Sequence, residues 1–272
     1  MKIFITGATG FIGSHLMNFL VQSDNEIIAL CRNNSKCKVP IIKEPFWLNK
    51  EISKVTLNDL RGVDALVHLA TAGVSPQCAT WNELTDININ SSIKLIEMAK
   101  NAGVKRFIAS GTCMEYGTSH SYERIPPSAP LNPNNPYAAS KVAGFQLINS
   151  FAIQENIELF YGRIFTAYGD GQFSKNLWPS LKNAAVQNKD FELQKGNDIR
   201  DFIPVKDVAL HFFKALFRDD IQIKKPKIVN VGTGEAKSIY KFASEEWNRF
   251  NAKGKLKLIK KENQENVCNK MV

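Results

Sequence analysis

Tyr137 and Lys141 stand four residues apart in NPYAASK (135–141). On a helix that spacing puts a phenol and an ammonium on one face. A free tyrosine titrates near ~10, too high for proton transfer at neutral pH. A neighbouring cation stabilises the phenolate and is expected to lower that value. Such a pair can protonate a carbonyl oxygen, or deprotonate an alcohol, while a hydride moves. A second cluster opens the chain. In MKIFITGATGFIGSHL, Gly7, Gly10 and Gly13 follow an apolar run at three-residue intervals. Gly7 suits a tight turn, Gly10 lets backbone approach a pyrophosphate, and Gly13 lets a helix pack close to a sheet. The helix N-terminus then offers N–H groups and positive dipole to the anion. The spacing is GxxGxxG where the dinucleotide fingerprint is GxGxxG, so the strand–turn–helix context carries the reading. The plainer alternatives are a surface Tyr/Lys pair and an ordinary glycine turn.

These groups need a scaffold, and the chain alternates strand-like with helix-like segments. KIFIT (2–6), EIIAL (26–30), DALVHLA (64–70), KRFIAS (105–110) and IELFYGRIF (157–165) read as buried strands. FIGSHLMNFLVQ (11–22), INSSIKLIEMAKNAG (89–103) and YAASKVAGFQLINSFAIQ (137–154) read as helices. Alternation with nearly continuous apolar strands predicts a parallel sheet covered on both faces. Between 36 and 56 only a weak strand near 41–42 is expected. After Gly169 the rhythm loosens. Helices are expected over 176–187, 208–217 and 239–250, and strands over 226–231 and 255–259. The expected division is 1–165 and a smaller lobe, 166–272, with 203–235 returning to the first unit.

The second strand ends in ALCRNNSK (29–36). The slot where an acid would grip a ribose 2′-hydroxyl holds Cys31, and Arg32 follows. A carboxylate would repel a 2′-phosphate, whereas an arginine attracts one through paired, charge-assisted hydrogen bonds. NADP is therefore favoured over NAD, with NAD possible. On the plainer reading Arg32 stacks on the adenine or faces solvent. The 272 residues carry a net charge of +9 and are 44% hydrophobic. The late lysines, KKPK (224–227) and AKGKLKLIKK (252–261), read as a solvated basic face, with no nucleic-acid or membrane partner expected. The five cysteines are scattered and odd in number, which suggests reduced thiols and no metal site. A cytoplasmic location is expected from the want of a signal-peptide pattern.

The chain resembles the extended short-chain dehydrogenase/reductases, the sugar-nucleotide epimerase/dehydratase group. The motifs run nearly end to end: TGATGFIG (6–13), DALVHLAT (64–71), ININSSIKLIEMA (87–99), FIASGTCMEYG (107–117), NPYAASK (135–141), RIFTAYGDGQ (163–172), IRDFIPVKDVA (199–209) and IVNVGTGEAKS (228–238). The resemblance implies a Rossmann-type doubly wound α/β sheet with a smaller interleaved C-terminal substrate lobe. It implies Tyr137 as acid/base, Lys141 as its tuner and ribose ligand, Thr112 on the reacting oxygen, and Asn90 supporting the lysine. Cofactor contacts fall to Gly7, Thr9, Gly10, Phe11, Ile12, Gly13, Arg32, Leu69, Ala70, Thr71, Tyr137, Lys141 and Phe165. Substrate contacts fall to Thr112, Thr166, Asn176 and Arg200, the last two toward a pyrophosphate. Structural alternatives stay open: Thr112 as a backbone cap, Asn90 as a helix cap, Arg200 paired with Asp201 or Asp207. A homodimer through 89–103 and 137–154 is also implied.

Departures from the pattern narrow the reaction. The 4,6-dehydratases of that group carry acids one or two residues past the Ser/Thr; here stand Cys113 and Met114. Glu115, if on a strand, points away from Thr112. The 3,5-epimerase/reductases place a cysteine where this chain has Met114. Thr166 replaces the family asparagine, and the family's closing segment is missing. The resemblance then points to NADPH-dependent reduction of a nucleotide-linked 4-keto-6-deoxy sugar, as in CDP-abequose synthase-like and dTDP-4-keto-6-deoxyhexose reductases of O-antigen or capsule pathways. A 4-epimerase is the alternative. A non-catalytic NADP-sensing or RNA-binding member is a further one, which an intact Thr112, Tyr137 and Lys141 argue against.

Overall fold

The computed structural model describes residues 1–74, 78–118, 123–194, 196–259 and 270–271. Cys268 and the last two lysines of the 252–261 run lie outside the described residues. Strands β1 (Lys2–Thr6), β2 (Glu26–Cys31), β3 (Phe46–Asn49), β4 (Ala65–His68), β5 (Arg106–Thr112) and β6 (Glu158–Ile164) build one sheet. Strands β7 (Thr166–Tyr168), β8 (Phe191–Leu193) and β9 (Ile199–Pro204) leave it, and β10 (Lys227–Val231) rejoins it. Strands β11 (Ala236–Ser238), β12 (Leu256–Leu258) and β13 (Lys270–Met271) follow. The helices are α1 (Phe11–Leu20), α2 (Trp81–Thr85), α3 (Ser92–Asn101), α4 (Pro136–Gln154), α5 (Leu177–Val186), α6 (Val205–Ala215) and α7 (Ile239–Arg249).

Period-two alternation explains the layers. Ile3 and Ile5 of β1, Ala65 and Val67 of β4, and Phe160 of β6 pack with Leu16, Val208 and Phe212 on one face. Phe4, Leu66, Phe107 and Leu159, one position out of step, pack with Leu95, Ile96, Phe145 and Ile148 on the other. Thus α1 and α6 cover one side and α3 and α4 the other.

The sheet order is β10-β6-β5-β4-β1-β2-β3, and every neighbouring pair is parallel. This is a Rossmann-type doubly wound fold. The chain steps outward from β1 to β3, then restarts on the other side at β4. That reversal opens a crevice beyond the carboxyl ends of β1 and β4, where such sheets bind ligands. Beside this layer, β9 carries β7, β11 and β13. Strand β12 pairs with β8, and α5 and α7 pack around Leu181, Ala243 and Trp247.

The third strand lies later than the sequence suggests. Ile42 is exposed, and its N–H bonds the Asn18 side chain at 2.9 Å. Pro40 and Pro45 bracket that stretch, and proline interrupts ladder pairing. Phe46–Asn49, clear of both, pairs with β2 instead.

Candidate active site

The first glycine turn is shaped by contacts closer than any side chain allows. Gly7 has φ +73°, and a Cβ there would stand 2.7 Å from the Ala70 nitrogen, at the end of β4. A Cβ on Gly13 would fall 2.0 Å from the Gly7 carbonyl oxygen, so the start of α1 sits directly on the turn. Gly10 is the N-cap of α1, and no side chain caps the leading N–H groups there. The helix also has no acid in its first turn. Its leading N–H groups and dipole therefore face the crevice without a competing anion, and a pyrophosphate fits this cradle. Thr9, Phe11 and Ile12 are half-buried around it, Leu69 packs beneath, and Ala70 donates its N–H to Thr6 Oγ1 at 3.2 Å. At the other end of the crevice, Cys31 pairs in register with Asn49, its thiol 3.7 Å from the amide oxygen. Arg32, one residue further, is exposed.

Helix α4 places the reactive pair. Asn135 caps it by accepting the Ala138 N–H at 2.9 Å, and Pro136 occupies the first turn without wasting a donor. Tyr137 thus enters at the helix start, its phenol on the side of Thr71 and Thr112. One turn on, Lys141 reaches under β5 and donates to the Ser110 carbonyl at 2.7 Å. The expected lowering of the tyrosine by the lysine does not occur in this state. Burial pushes the Tyr137 phenol above its ordinary value, and the negative charge of Glu115 pushes it further. Burial also holds the Lys141 ammonium below its usual value. Tyr137 is therefore a protonated acid here.

Behind Thr112 lies a feature that the sequence reading misplaced. Residues Cys113–Tyr116 form a 3-10 turn, not a strand, so Glu115 folds back under Thr112. Its Oε1 accepts the Thr112 N–H at 2.9 Å and the Tyr161 hydroxyl at 2.8 Å. Its Oε2 takes Arg163 Nε at 2.6 Å. Arg163 lies among the rings of Phe145, Tyr116 and Tyr161, and donates to the Tyr116 hydroxyl and the Pro127 carbonyl. Cys113, next in the chain, is buried, and its thiol is pushed up to about 12, mainly by burial. It is a neutral group beside the phenol.

The asparagine that meets the site is Asn88, not Asn90. Residues two apart on a helix differ by about 200°, so only one can face inward. The segment Asp86–Ser91 is a π-helical turn that brings Asn88 against α4. A Cβ on Gly144 would stand 2.6 Å from the Asn88 carbonyl oxygen. Asn88 is buried and bonds Thr71, Ala72 and Ser140. Asn90 is exposed and donates to Asp86 at 3.3 Å. Beside this turn, His68 was not singled out in the sequence. Buried, it bridges Thr6 at 2.8 Å and Ser92 at 2.9 Å, and burial with the Lys141 charge holds it down to about 3.

On the substrate side, Arg200 sits half-buried on β9, close enough to Cys113 for its charge to act on the thiol. It bonds Asp198 at 3.2 Å and the Ile199 carbonyl at 2.9 Å. Asp201 instead grips the 233–234 loop through Thr233 and Gly234. Thr166 opens β7, in register with Phe202 of β9. Phe165 is buried, with its N–H on the Val231 carbonyl. Asn176 is the N-cap of α5, but its side chain makes no capping bond.

The description of the NAD dependent epimerase/dehydratase family matches residues 3–232, and the chain belongs to that family. A UDP-glucose 4-epimerase of Lactobacillus helveticus is 26% identical over 265 residues, 88% of this chain and 78% of that protein. A dTDP-6-deoxy-L-talose 4-dehydrogenase (NAD(+)) of Aggregatibacter actinomycetemcomitans is 28% identical over 251 residues, 88% of this chain and 87% of that one. Among solved structures, MoeE5 in complex with UDP-glucuronic acid and NAD superimposes with TM-score 0.81 at 24% identity, over 99% of this chain and 88% of its own. Among the described residues no helix is long and apolar enough to cross a membrane.

Proposed function

We propose that the chain is an NADPH-dependent reductase of the C4 ketone of a nucleotide-linked 4-keto-6-deoxy sugar, serving cell-surface polysaccharide synthesis. One observation carries the choice of reaction. Every carboxylate oxygen of Glu115 and Asp201, the acids whose charges reach Cys113, is already engaged by Thr112, Tyr161, Arg163, Thr233 or Gly234. Moving protons on sugar carbons needs an available base. The phenol of Tyr137 and the hydroxyl of Thr112 serve a single oxygen, which suits chemistry at one carbinol centre.

The nicotinamide, when bound, supplies the hydride. Gly7, Gly10, Gly13 and the α1 N-terminus would hold its pyrophosphate, and Lys141 its ribose. Tyr137, kept protonated by burial, gives its proton to the oxygen as negative charge develops there. Thr112 donates to the same oxygen, and Arg200 and Asn176 take the substrate's pyrophosphate. NADPH is preferred because Cys31 leaves the ribose slot without a carboxylate and Arg32 can pair with a 2′-phosphate. The C4 dehydrogenase of a dTDP-6-deoxy sugar supports this reading, since its reverse reduces a C4 ketone. Its cofactor, and that bound to MoeE5, is NAD, which together with the 4-epimerase relative favours a second reading, a 4-epimerase that keeps its cofactor. Leu147 and Ile153 stay exposed on α4, which suits a homodimer through α3 and α4; chromatographic mass tests it.

Mixing the protein with NADPH or NADH and CDP-, dTDP-, GDP- and UDP-linked 4-keto-6-deoxy sugars tests the reaction. Net oxidation of NADPH by one sugar supports the reductase. Interconversion of unreduced sugar nucleotides without net oxidation replaces it with the epimerase.

A further inference from the structure

Arg124 lies on the connection between β5 and α4, and the structure anchors it from behind. Its neighbour Ile125 is buried against Cys113, Ala129 and Phe165. The Ile125 carbonyl accepts Asn230 Nδ2 at 2.6 Å, and Arg163 donates to the Pro127 carbonyl at 2.9 Å. The order of protons fixes this anchor. Arg163 can only donate, so the Tyr116 oxygen accepts from it at 3.0 Å. The Tyr116 proton then goes to Asn230 Oδ1 at 2.6 Å, which leaves Nδ2 for Ile125.

The guanidinium rests on a glycine. Gly234 has φ +76°, and a Cβ there would stand 3.5 Å from Nη1, 3.6 Å from Cζ and 3.8 Å from Nε of Arg124. Three nearly equal distances put Gly234 against the flat face of the group and leave its N–H edge open. Arg124 is exposed and makes no hydrogen bond or ion pair among the described residues. Acids of the adjoining loop and strand are engaged elsewhere: Asp201 holds the Thr233 and Gly234 N–H groups at 2.9 and 2.7 Å, and Glu235 faces Lys237 at 3.8 Å.

Gly234 stands just past the carboxyl end of β10, which runs parallel to β6 and, through it, to β5. Thr112 ends β5 at the same edge of the sheet, the edge where such folds bind ligands. Strands β6 and β5 separate β10 from β4, so an anion held here belongs to the substrate and not to the cofactor. Asp201 also ties the loop to β9, next to Arg200.

We propose that Arg124 is a further substrate-binding residue, a second arginine beside Arg200 that grips the diphosphate of the nucleotide-linked sugar. The proposal rests on the substrate being a nucleotide sugar. A guanidinium forks onto phosphate oxygens through paired N–H groups, and one already laid flat on an anchored backbone loses little freedom in doing so.

Calorimetric titration of the full-length protein with CDP, dTDP, GDP and UDP tests it, with NADP⁺ and NAD⁺ in excess so that the α1 cradle is filled. The tightest diphosphate is expected to bind Arg124→Met about tenfold more weakly than wild type, the worth of a charge-assisted contact. Arg124→Lys keeps the charge without the fork and is expected to recover part of the loss. With the nucleotide sugar that oxidises the cofactor, Arg124→Met is expected to raise KM about tenfold and change kcat far less, because the diphosphate is held alike before and during reaction. If Tyr137→Phe keeps wild-type turnover, the proposed function falls, and the titration alone then decides on Arg124. A diphosphate that binds Arg124→Met as tightly as wild type, or no binding of any of the four to wild type, overturns the proposal.

Discussion

Two arginine–carboxylate pairs of nearly equal length sit in opposite surroundings. Under Thr112, Arg163 and Glu115 meet at 2.6 Å with side-chain exposures of 2% and 0%. Past the end of α6, Arg218 and Asp220 meet at 2.5 Å with exposures of 40% and 41%, and Lys227 joins at 2.9 Å. Water can replace either partner of the outer pair. Nothing can replace either partner of the inner one, whose other bonds hold the backbone of Thr112 and the hydroxyls of Tyr116 and Tyr161. Distance alone therefore says little about what an ion pair does. Burial decides, and at this site it converts a charge pair into a fixed floor for the reacting hydroxyl.

The largest expected effect comes from halving the inner pair. Arg163→Met leaves Glu115 buried and unpaired, and a loss of about 3–5 kcal/mol in denaturant unfolding is expected. Removing both charges, as Glu115→Leu with Arg163→Met, is expected to recover most of that stability. The Thr112 N–H then lacks its acceptor, so turnover is expected to stay about tenfold down. A double variant as unstable as the single one would break the comparison.

Buried His68 extends the contrast to pH. Its folded value is held down to about 3, while the unfolded chain takes a proton near its ordinary value. Between those values the unfolded state binds more protons, so stability falls as pH falls, by about 1.4 kcal/mol per pH unit. Unfolding free energy measured from pH 7 to pH 4.5 should bend downward below about pH 6.5, and His68→Gln should flatten that part of the curve. The outer pair gives the smallest effect. Asp220 is also held below the usual carboxylate range by Arg218 and Lys227, but in the open. Asp220→Asn is expected to leave the unfolding midpoint within error at moderate salt, where exposed pairs are screened.

The same division governs what the sequence made legible. The glycine turn was readable because each position answers to backbone geometry alone: Gly7 needs a positive φ, and Gly13 has no room for a Cβ. The alternating strands were readable because burial on both faces writes itself into residue type. Asn88 was not distinguished from Asn90, because the choice depends on a π-helical turn and on the place that Gly144 leaves on another helix. Glu115 was assigned to a strand because nothing local announces the 3-10 turn that folds it back. Its partner Arg163 lies 48 residues away. The direction of the Tyr137 shift was missed for a similar reason. Neighbour spacing shows the lysine, but not the Ser110 carbonyl that holds it nor the buried carboxylate behind.

The most direct test of the account is a single-turnover mixture of the protein, NADPH and the panel of nucleotide-linked 4-keto-6-deoxy sugars, followed by cofactor absorbance. The account predicts NADPH oxidation with one nucleotide sugar, with Tyr137→Phe slower by a factor on the order of 10²–10⁴. Oxidation at the wild-type rate in Tyr137→Phe, or no oxidation with any sugar, would contradict it.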